Sequence, residues 1–303
     1  MIKNYFTNGT KFLFLTLAFL LISFTIQAQE IDSTQIWNDQ IEQSFDYKTG
    51  VIDLQEGNAK LTVPFGFRYL NKEQSIYVLT ELWGNPADSS VLGMLVPENR
   101  SVLESNGWAY TIYFDPMGYV KDDDADDINY DDLLKEQQKE FDDENPQRIK
   151  DGYQPIKFIG WASTPFYDKN KKVLHWAKEL KFGDDSLSTL NYNLRVLGRK
   201  GVYMLNAIAS LPEMNEVKAS IDKVITSIDF NEGDKYANFN PDVDNVAAWT
   251  IGGLVAGKIL AKVGFFAVIL KFWKLIALAV VGAGGAFLKF FKRKKDNDDT
   301  TVS

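Results

Sequence analysis

The feature that most constrains the fold is the hydrophobic C-terminal stretch Ala247–Phe291, which is closed by the basic run Lys292–Lys295. Residues 272–291 would form a helix about 30 Å long, which matches the hydrocarbon thickness of a bilayer. Its two charged residues, Lys274 and Lys289, lie near the ends, where long side chains reach the headgroups. We therefore expect a transmembrane helix at 272–291, with the lipid bilayer as its partner.

The two ends of the chain predict its orientation. Basic residues beside a membrane span remain in the cytoplasm, so the tail 292–303 is expected inside the cell. At the N-terminus, Lys3 and Lys11 precede an apolar run, and Ile26 and Ala28 occupy the positions before a cleavage site. This pattern predicts a signal peptide at residues 1–28, with an uncleaved anchor as the alternative. Either leaves the main domain, residues 29–245, on the extracytoplasmic, periplasmic side.

Residues 246–270 are harder to place, because Lys258 and Lys262 lie near the middle of the segment. Each lysine at a bilayer centre costs about 2.5–3.5 kcal/mol, which roughly cancels the gain from the apolar residues around it. We favour an amphipathic or bundled membrane-proximal helix over a second span. Small residues recur here every four positions, a pattern that favours close helix contact but is also common in membrane helices generally. The predicted surface for self-association or a membrane-protein partner comprises Ala248, Gly252, Gly253, Ala256 and Gly257.

The composition excludes several classes of function. Residues 29–245 carry 22 Lys and Arg against 38 Asp and Glu, and such an acidic domain is a poor partner for nucleic acid. The sequence contains no cysteine, so disulfides, thiolate catalysis and cysteine-based zinc sites are excluded.

The clearest strand is Ser188–Val196, in which apolar and polar residues alternate, so we expect one buried and one polar face. A turn leads into the apolar strand Val202–Ala209, and Ser210–Glu213 then opens a helix. Further strands are predicted at 51–54, 59–63, 92–96, 108–114, 156–162 and 173–181, with a turn at 165–170 and helices at 72–82 and after Asn129. The order predicts an α+β fold, with an antiparallel sheet flanked by helices in a sandwich-like arrangement.

The most acidic stretch follows Lys121, and its alternating carboxylates favour a hard cation. Calcium is the one cofactor this suggests, with Asp122, Asp124 and Asp126 as candidate ligands. The stretch is not an EF-hand, because Asp127 occupies the position of the turn glycine. The alternative is a solvated acidic segment that starts a helix.

A second candidate site lies on the polar side of the Ser188–Val196 strand. Asn191, Asn193 and Arg195, with Arg199 in the following turn, are suited to an anionic or sugar-like ligand. The alternative is an ordinary exposed strand face. We favour core positions for the four tryptophans at 83, 108, 161 and 176, with sugar-binding platforms as the alternative.

Nothing in the sequence indicates a catalytic centre. His175 is the only histidine, and no nucleophile elbow, phosphate-binding loop or dinucleotide fingerprint occurs. We therefore favour a noncatalytic binding or interaction module over an enzyme. The alternatives are a metal-assisted hydrolase acting on envelope carbohydrate or phosphate esters, and a structural subunit of a membrane complex.

Several motifs together resemble one bacterial family. They lie at residues 118–125, 160–161, 165–168, 174–177, 191–195, 197–201 and 252–257. Together they resemble the domain of unknown function 2167 family. The resemblance implies an exported, membrane-anchored protein and implies no catalytic residues. The order of strands and the closing helix are loosely similar to the photosystem-associated PsbP type of α/β/α sandwich, which says nothing about function.

Overall fold

The computed structural model describes residues 33–54, 56–126 and 128–256. The predicted signal peptide, the predicted transmembrane helix at 272–291, the tail and residues 257–270 lie outside the described residues. Among those described, no helix is both long enough and apolar enough to cross a bilayer.

The chain divides into two units at residues 46 and 47. The first contains one described helix, α1 (Ser33–Ser44), in which the Ser44 hydroxyl donates to the Ile41 carbonyl at 2.6 Å. The strands and the remaining described helices belong to the second unit.

The strands of the second unit are β1 (Val51–Leu54), β2 (Ala59–Thr62), β3 (Phe67–Asn71), β4 (Gly93–Pro97), β5 (Ala109–Asp115), β6 (Ile156–Asp168), β7 (Val173–Phe182), β8 (Thr189–Leu197), β9 (Val202–Ser210) and β10 (Ile228–Phe230). Seven of them form an antiparallel sheet with the order β3-β4-β5-β9-β8-β7-β6. A smaller sheet has the order β1-β2-β10. The predicted antiparallel sheet is confirmed, and the strands predicted at 51–54 and 59–63 pair with each other as β1 and β2.

Helices lie between and after these strands. They are α2 (Lys72–Tyr77), which continues as a π-helical turn (Val78–Leu82), α3 (Tyr130–Lys150), α4 (Met214–Ile225) and α5 (Ile251–Ala256). The start of α3 is the predicted one, because the Asn129 side chain accepts from the amides of Asp131 and Asp132 at 3.1 and 3.2 Å. The α+β class with flanking helices is therefore confirmed for the described residues.

One face of the large sheet, which we call the apolar face, packs against α4 and the small sheet. On β8 it presents Leu190, Tyr192, Leu194 and Val196, all buried as the alternation predicts. From α4, Val217 and Val224 close over it with no exposed surface. Tyr110 reaches α4 with its hydroxyl 3.0 Å from the Ser220 hydroxyl. This face contains the main hydrophobic core.

The opposite face, which we call the polar face, carries the alternate residues of the same strands. It is polar on β8, as predicted, but it is not an open surface, since Asn193 is only 6% exposed. Helix α3 and the segment leading into α5 pack on this side. Gln137 of α3 donates to the Val255 carbonyl of α5 at 2.8 Å, which joins the two. The interpretation of the polar row as an exposed strand face is therefore wrong.

The segment 245–256 is attached to the sheet through the backbone. Tyr119 and Val246 form a parallel bridge, and the Ala247 amide donates to the Tyr119 carbonyl at 2.9 Å. Gly118 permits this contact, because a Cβ there would lie 2.7 Å from the Asn245 carbonyl oxygen, at a φ of +95°. Residues 246–256, assigned from sequence to a membrane-proximal helix, therefore pack in part against the folded domain.

Within the predicted small-residue surface, Gly252, Gly253 and Ala256 are buried in this packing, and Ala248 is exposed. Gly257 lies outside the described residues. Contact of these residues with a partner stays a prediction.

The edge strand β6 extends further than the sequence predicts. The turn predicted at 165–170 begins only at Lys169, because β6 continues through Pro165 to Asp168. Its pairing with β7 shifts register three times, between Phe158 and Gly160, Trp161 and Ser163, and Ser163 and Phe166. Proline is tolerated here because an edge strand has a side that needs no ladder donor.

Candidate functional site

Three of the four predicted ligand residues come together on the polar face. Asn193 of β8 lies directly between Asn206 of β9 and Trp176 of β7 in the strand register. Asn191 and Arg195 lie two positions away on either side. We call Trp176, Lys178, Asn191, Asn193, Arg195 and Asn206 the Arg195 cluster.

Arg195 is held by neutral groups. Its Nη1 donates to Asn206 Oδ1 at 2.8 Å and to the Leu194 carbonyl at 3.0 Å, and its Nη2 donates to Asn193 Oδ1 at 3.4 Å. The guanidinium carbon lies 4.7 Å from the centre of the Trp176 ring. Asn193 is in turn oriented by donating its Nδ2 to Asn191 Oδ1 at 2.7 Å.

The charge of Arg195 is therefore weakly compensated. Burial lowers the pKa of the guanidinium to about 9, and the nearby carboxylate of Asp115 opposes that shift. The group is still protonated at neutral pH. A partly buried cation whose hydrogen-bond acceptors are all neutral is a favourable point of attachment for an anion.

Lys178 is a second cation in the same cluster. It lies on β7 directly opposite Asn191, and its Nζ is 5.5 Å from the Phe141 ring centre and 5.4 Å from that of Phe158. Burial lowers the pKa of Lys178 to about 8, and the positive charge of Arg195 adds to this shift. The nearby carboxylates of Glu140 and Glu144 on α3 oppose the downward shift of this pKa.

Trp176 contributes a further donor. The residue is 2% exposed, and within the described part of the chain its indole Nε1 has no hydrogen-bond partner. The cluster therefore combines a guanidinium, an ammonium and an unused N–H donor. Perturbed pKa values beside unpaired polar groups are a recognised mark of functional sites.

Sequence reasoning missed Lys178, Trp176 and Asn206 as members of this cluster. All three lie on neighbouring strands, directly opposite or next to the predicted residues, so the signal needed was the strand order. Once β7 and β9 are known to flank β8, the alternation within each strand assigns these residues to the polar face.

Arg199 does not belong to the cluster. It lies in the β8-β9 turn, about 13 Å along an extended strand from Arg195. Its Nε donates to Asp244 Oδ2 at 2.7 Å, and its Nη1 donates to the Gly233 carbonyl at 2.9 Å. Arg199 therefore attaches the loop at 233–244 to the sheet.

Each of the three predicted calcium ligands has its own hydrogen-bond or ion-pair partners. Asp122 accepts from the Tyr167 hydroxyl and from Lys172, both at 2.8 Å. Asp124 accepts from the Ile251 amide at 3.3 Å. Asp126 pairs with Lys169 at 2.5 Å.

No group of three His, Asp or Glu residues in the described ranges is arranged to hold a metal ion. Calcium binding stays a prediction. The best-supported role for Asp122 is a hydrogen-bonded anchor. Burial raises its pKa, but the hydrogen bonds from Lys172 and Tyr167 outweigh this, so the pKa lies below its ordinary value.

The four tryptophans lie in two kinds of environment, since three belong to hydrophobic clusters and one lines a pocket. Trp108 and Trp176 are 2% exposed and lie in the hydrophobic clusters, as expected for core residues. Trp161 packs under α3 and donates to the Tyr130 carbonyl at 3.2 Å. Trp83 instead lines a pocket.

Comparisons with known proteins place the chain in a family without assigning a ligand. No curated protein matches the sequence. The solution structure of cyanobacterial PsbP (CyanoP) from Synechocystis sp. PCC 6803 is similar with a TM-score of 0.35 and 11% sequence identity, covering 60% of this chain and 91% of that one. Residues 46–285 match the family described as "Protein of unknown function (DUF2167)", and the chain therefore belongs to that family.

Proposed function

We propose that this protein is a noncatalytic binding module of the cell envelope, anchored in a membrane, whose ligand presents an anionic group to the Arg195 cluster. One observation carries the proposal: Arg195 and Lys178, two partly buried cations on neighbouring strands, both lie against aromatic rings, and Arg195 donates its hydrogen bonds to neutral groups.

Electrostatics explain why this arrangement favours a bound anion. Removing a charge from water costs several kcal/mol unless an opposite charge compensates it. The two cations also disfavour each other, because the charge of Arg195 lowers the pKa of Lys178. A carboxylate or phosphate group placed between them would relieve both costs and would find the Trp176 N–H as a further donor.

The chemistry of the cluster supports binding more than catalysis. Its members are donors and amides, and the nearby carboxyl group of Asp115 has a pKa raised by burial. A metal-assisted hydrolase would need the carboxylates of Asp122, Asp124 and Asp126 to converge, and each has a different partner. The membrane anchor and the periplasmic location rest on the sequence of residues 272–295 and 1–28.

Thermal unfolding of the full chain in detergent tests the anionic ligand. Potassium phosphate is compared with potassium chloride at equal ionic strength, because a ligand that binds only the folded state raises its melting temperature. We expect a concentration-dependent rise for the wild type that is lost in Arg195→Gln. The matched control is Arg199→Gln, which removes an arginine from the neighbouring turn and should keep the rise.

Equal stabilisation of the wild type and Arg195→Gln by phosphate, or no rise in either, would overturn the anion site. The anchor has a separate test, in which a reporter fused after Ser303 reports on its compartment. Activity of that reporter on the extracytoplasmic side would contradict the proposed orientation.

A further inference from the structure

A second concave site lies near one end of the large sheet. It is a pocket of about 480 Å³ between the turn that follows α2, the C-terminal end of α3 and the ends of β7 to β9. Its volume falls within the range of ligand pockets, about 300–1,000 Å³. The side chains that define its character are Trp83, Asn85, Arg148, Tyr153, Phe182 and Asp185.

The walls of the pocket are aromatic and fixed in place. Trp83 donates its Nε1 to the Val102 carbonyl at 2.9 Å, which fixes the orientation of its ring. Tyr153 has the Arg148 guanidinium 5.6 Å from its ring centre. Trp83, Tyr153 and Phe182 are all partly exposed, so their rings are accessible within a concave surface.

The polar groups of the pocket are anchored through one atom and leave another available. Arg148 donates its Nε to the Gln154 carbonyl at 3.1 Å, and within the described residues its Nη groups have no acceptor. Asn85 donates its Nδ2 to the Leu79 carbonyl at 3.1 Å, which leaves Oδ1 as an acceptor. Asp185 adds an exposed carboxylate.

We propose that this pocket binds a neutral carbohydrate. The apolar faces of a sugar ring pack on aromatic side chains, and its adjacent hydroxyls both donate and accept hydrogen bonds. Arg148 supplies donors, while Asn85 Oδ1 and Asp185 supply acceptors. The Asp185 carboxylate makes phosphates and sulfates poorer ligands here, because like charges repel.

The proposal is independent of the Arg195 cluster, because the two sites share no residue. It also explains why Trp83, unlike Trp108 and Trp176, is not part of the core. Its ring is fixed by a backbone carbonyl and remains partly exposed, as a stacking platform requires.

Calorimetric titration of the full chain in detergent tests this site. The probes are maltotriose, cellotriose and chitotriose, with inorganic phosphate as the anionic comparison. We expect at least one trisaccharide to bind with a Kd below about 1 mM. Trp83→Ala should weaken that binding at least tenfold, because it removes one stacking face. Phe65→Ala is the matched control, since Phe65 is 95% exposed and does not line this pocket, and the variant should bind as the wild type.

Two further variants keep the test decisive if Trp83→Ala does not fold. Tyr153→Ala removes another ring, and Asp185→Asn removes the charge while keeping the shape; each should weaken trisaccharide binding severalfold. No heat of binding with any of the three sugars would overturn the proposal. Unchanged affinity in the pocket variants, or competition by phosphate, would also overturn it.

Discussion

The two faces of the seven-stranded sheet are built from the same strands but differ in the side chains that they present. On the apolar face, β8 and β9 present leucine, tyrosine and valine side chains to α4, and the core is closed. On the polar face, the alternate residues of the same strands form the Arg195 cluster beneath α3 and the segment that leads into α5. One face thus closes the main hydrophobic core, and the other carries the residues of the proposed anion site.

This difference indicates where stability was not maximised. The polar face also contains hydrophobic packing, in which Trp176 lies among residues of α3 and α5. Replacing buried charges by apolar groups is often neutral or stabilising, so Lys178 and Arg195 are the residues of this face for which we propose a role in binding. Stability lost at a site in exchange for function is a common pattern in proteins.

The largest expected effect comes from a pair of neighbouring residues on opposite faces. Leu205 has no exposed surface and points into the apolar face, whereas Met204 is partly exposed on the polar face. Leu205→Ala should lower the free energy of unfolding by about 3–5 kcal/mol, and Met204→Ala by less than about 1.5 kcal/mol. Urea unfolding followed by tryptophan fluorescence measures both, and similar losses would contradict the comparison.

Replacing Lys178 should change the free energy of unfolding in the opposite direction, that is, it should stabilise the protein. The folded state disfavours the charged lysine, so Lys178→Met should raise the free energy of unfolding at pH 7 by about 1–3 kcal/mol. Because the folded pKa is about 8 and the ordinary value is 10.5, the unfolded state binds more protons between these values. The contribution of Lys178 to the free energy of unfolding of the wild type should therefore rise as the pH increases above about 8.

Urea unfolding at pH 7 and at pH 9.5 gives the measurement. The advantage of Lys178→Met over the wild type should shrink at the higher pH. A variant that is less stable than the wild type at pH 7 would show that the lysine is structural.

Replacing Asp122 tests how strongly the loop that contains it is attached to Tyr167 and Lys172. Its folded pKa lies below the ordinary value, so the stability that it contributes is present above that value and is lost as the pH falls through the folded pKa. Asp122→Asn should cost about 1–2 kcal/mol at pH 7 and less at pH 3, below the ordinary pKa of the carboxyl group. Unfolding at the two pH values provides the measurement.

Asp126→Asn is the matched control for Asp122→Asn. The side chain of Asp126 is 78% exposed, compared with 25% for Asp122, and exposed pairs contribute little. Equal losses in the two variants would mean that burial does not distinguish these carboxylates.

The smallest expected effect concerns the helix that covers the polar face. Asn129→Ala removes the N-cap of α3 and should cost about 1 kcal/mol, while Asn129→Asp keeps an acceptor and should cost little. Amide hydrogen exchange in the first turn of α3 provides a local measurement. Unchanged exchange in the alanine variant would show that packing alone holds the start of the helix.

The strand pattern of this protein could be predicted because hydrophobic alternation is local. Leu190 to Val196 on β8 and the Asn129 cap of α3 depend only on neighbours in sequence, and both predictions are confirmed. The accessibility of the polar row depends on α3 and α5, which are remote in sequence. No local pattern reports that these elements pack over Asn193.

The candidate site was partly predictable for the same reason. Arg195 and Asn193 were identified from one strand, but Lys178 and Trp176 become their neighbours only through the β7-β8 register. The structure does not bring Arg199 to them, and nearness in sequence does not show that its side chain is paired with Asp244.

The irregular β6 has a consequence for how copies of this protein behave together. A second chain could add itself to the sheet only along a continuous row of free backbone groups, and β6 forms the long outer boundary on that side. Pro165 and the three register shifts interrupt the row. We expect the strand to disfavour polymerisation of neighbouring molecules at a margin where Ile159 and Phe166 are exposed to solvent.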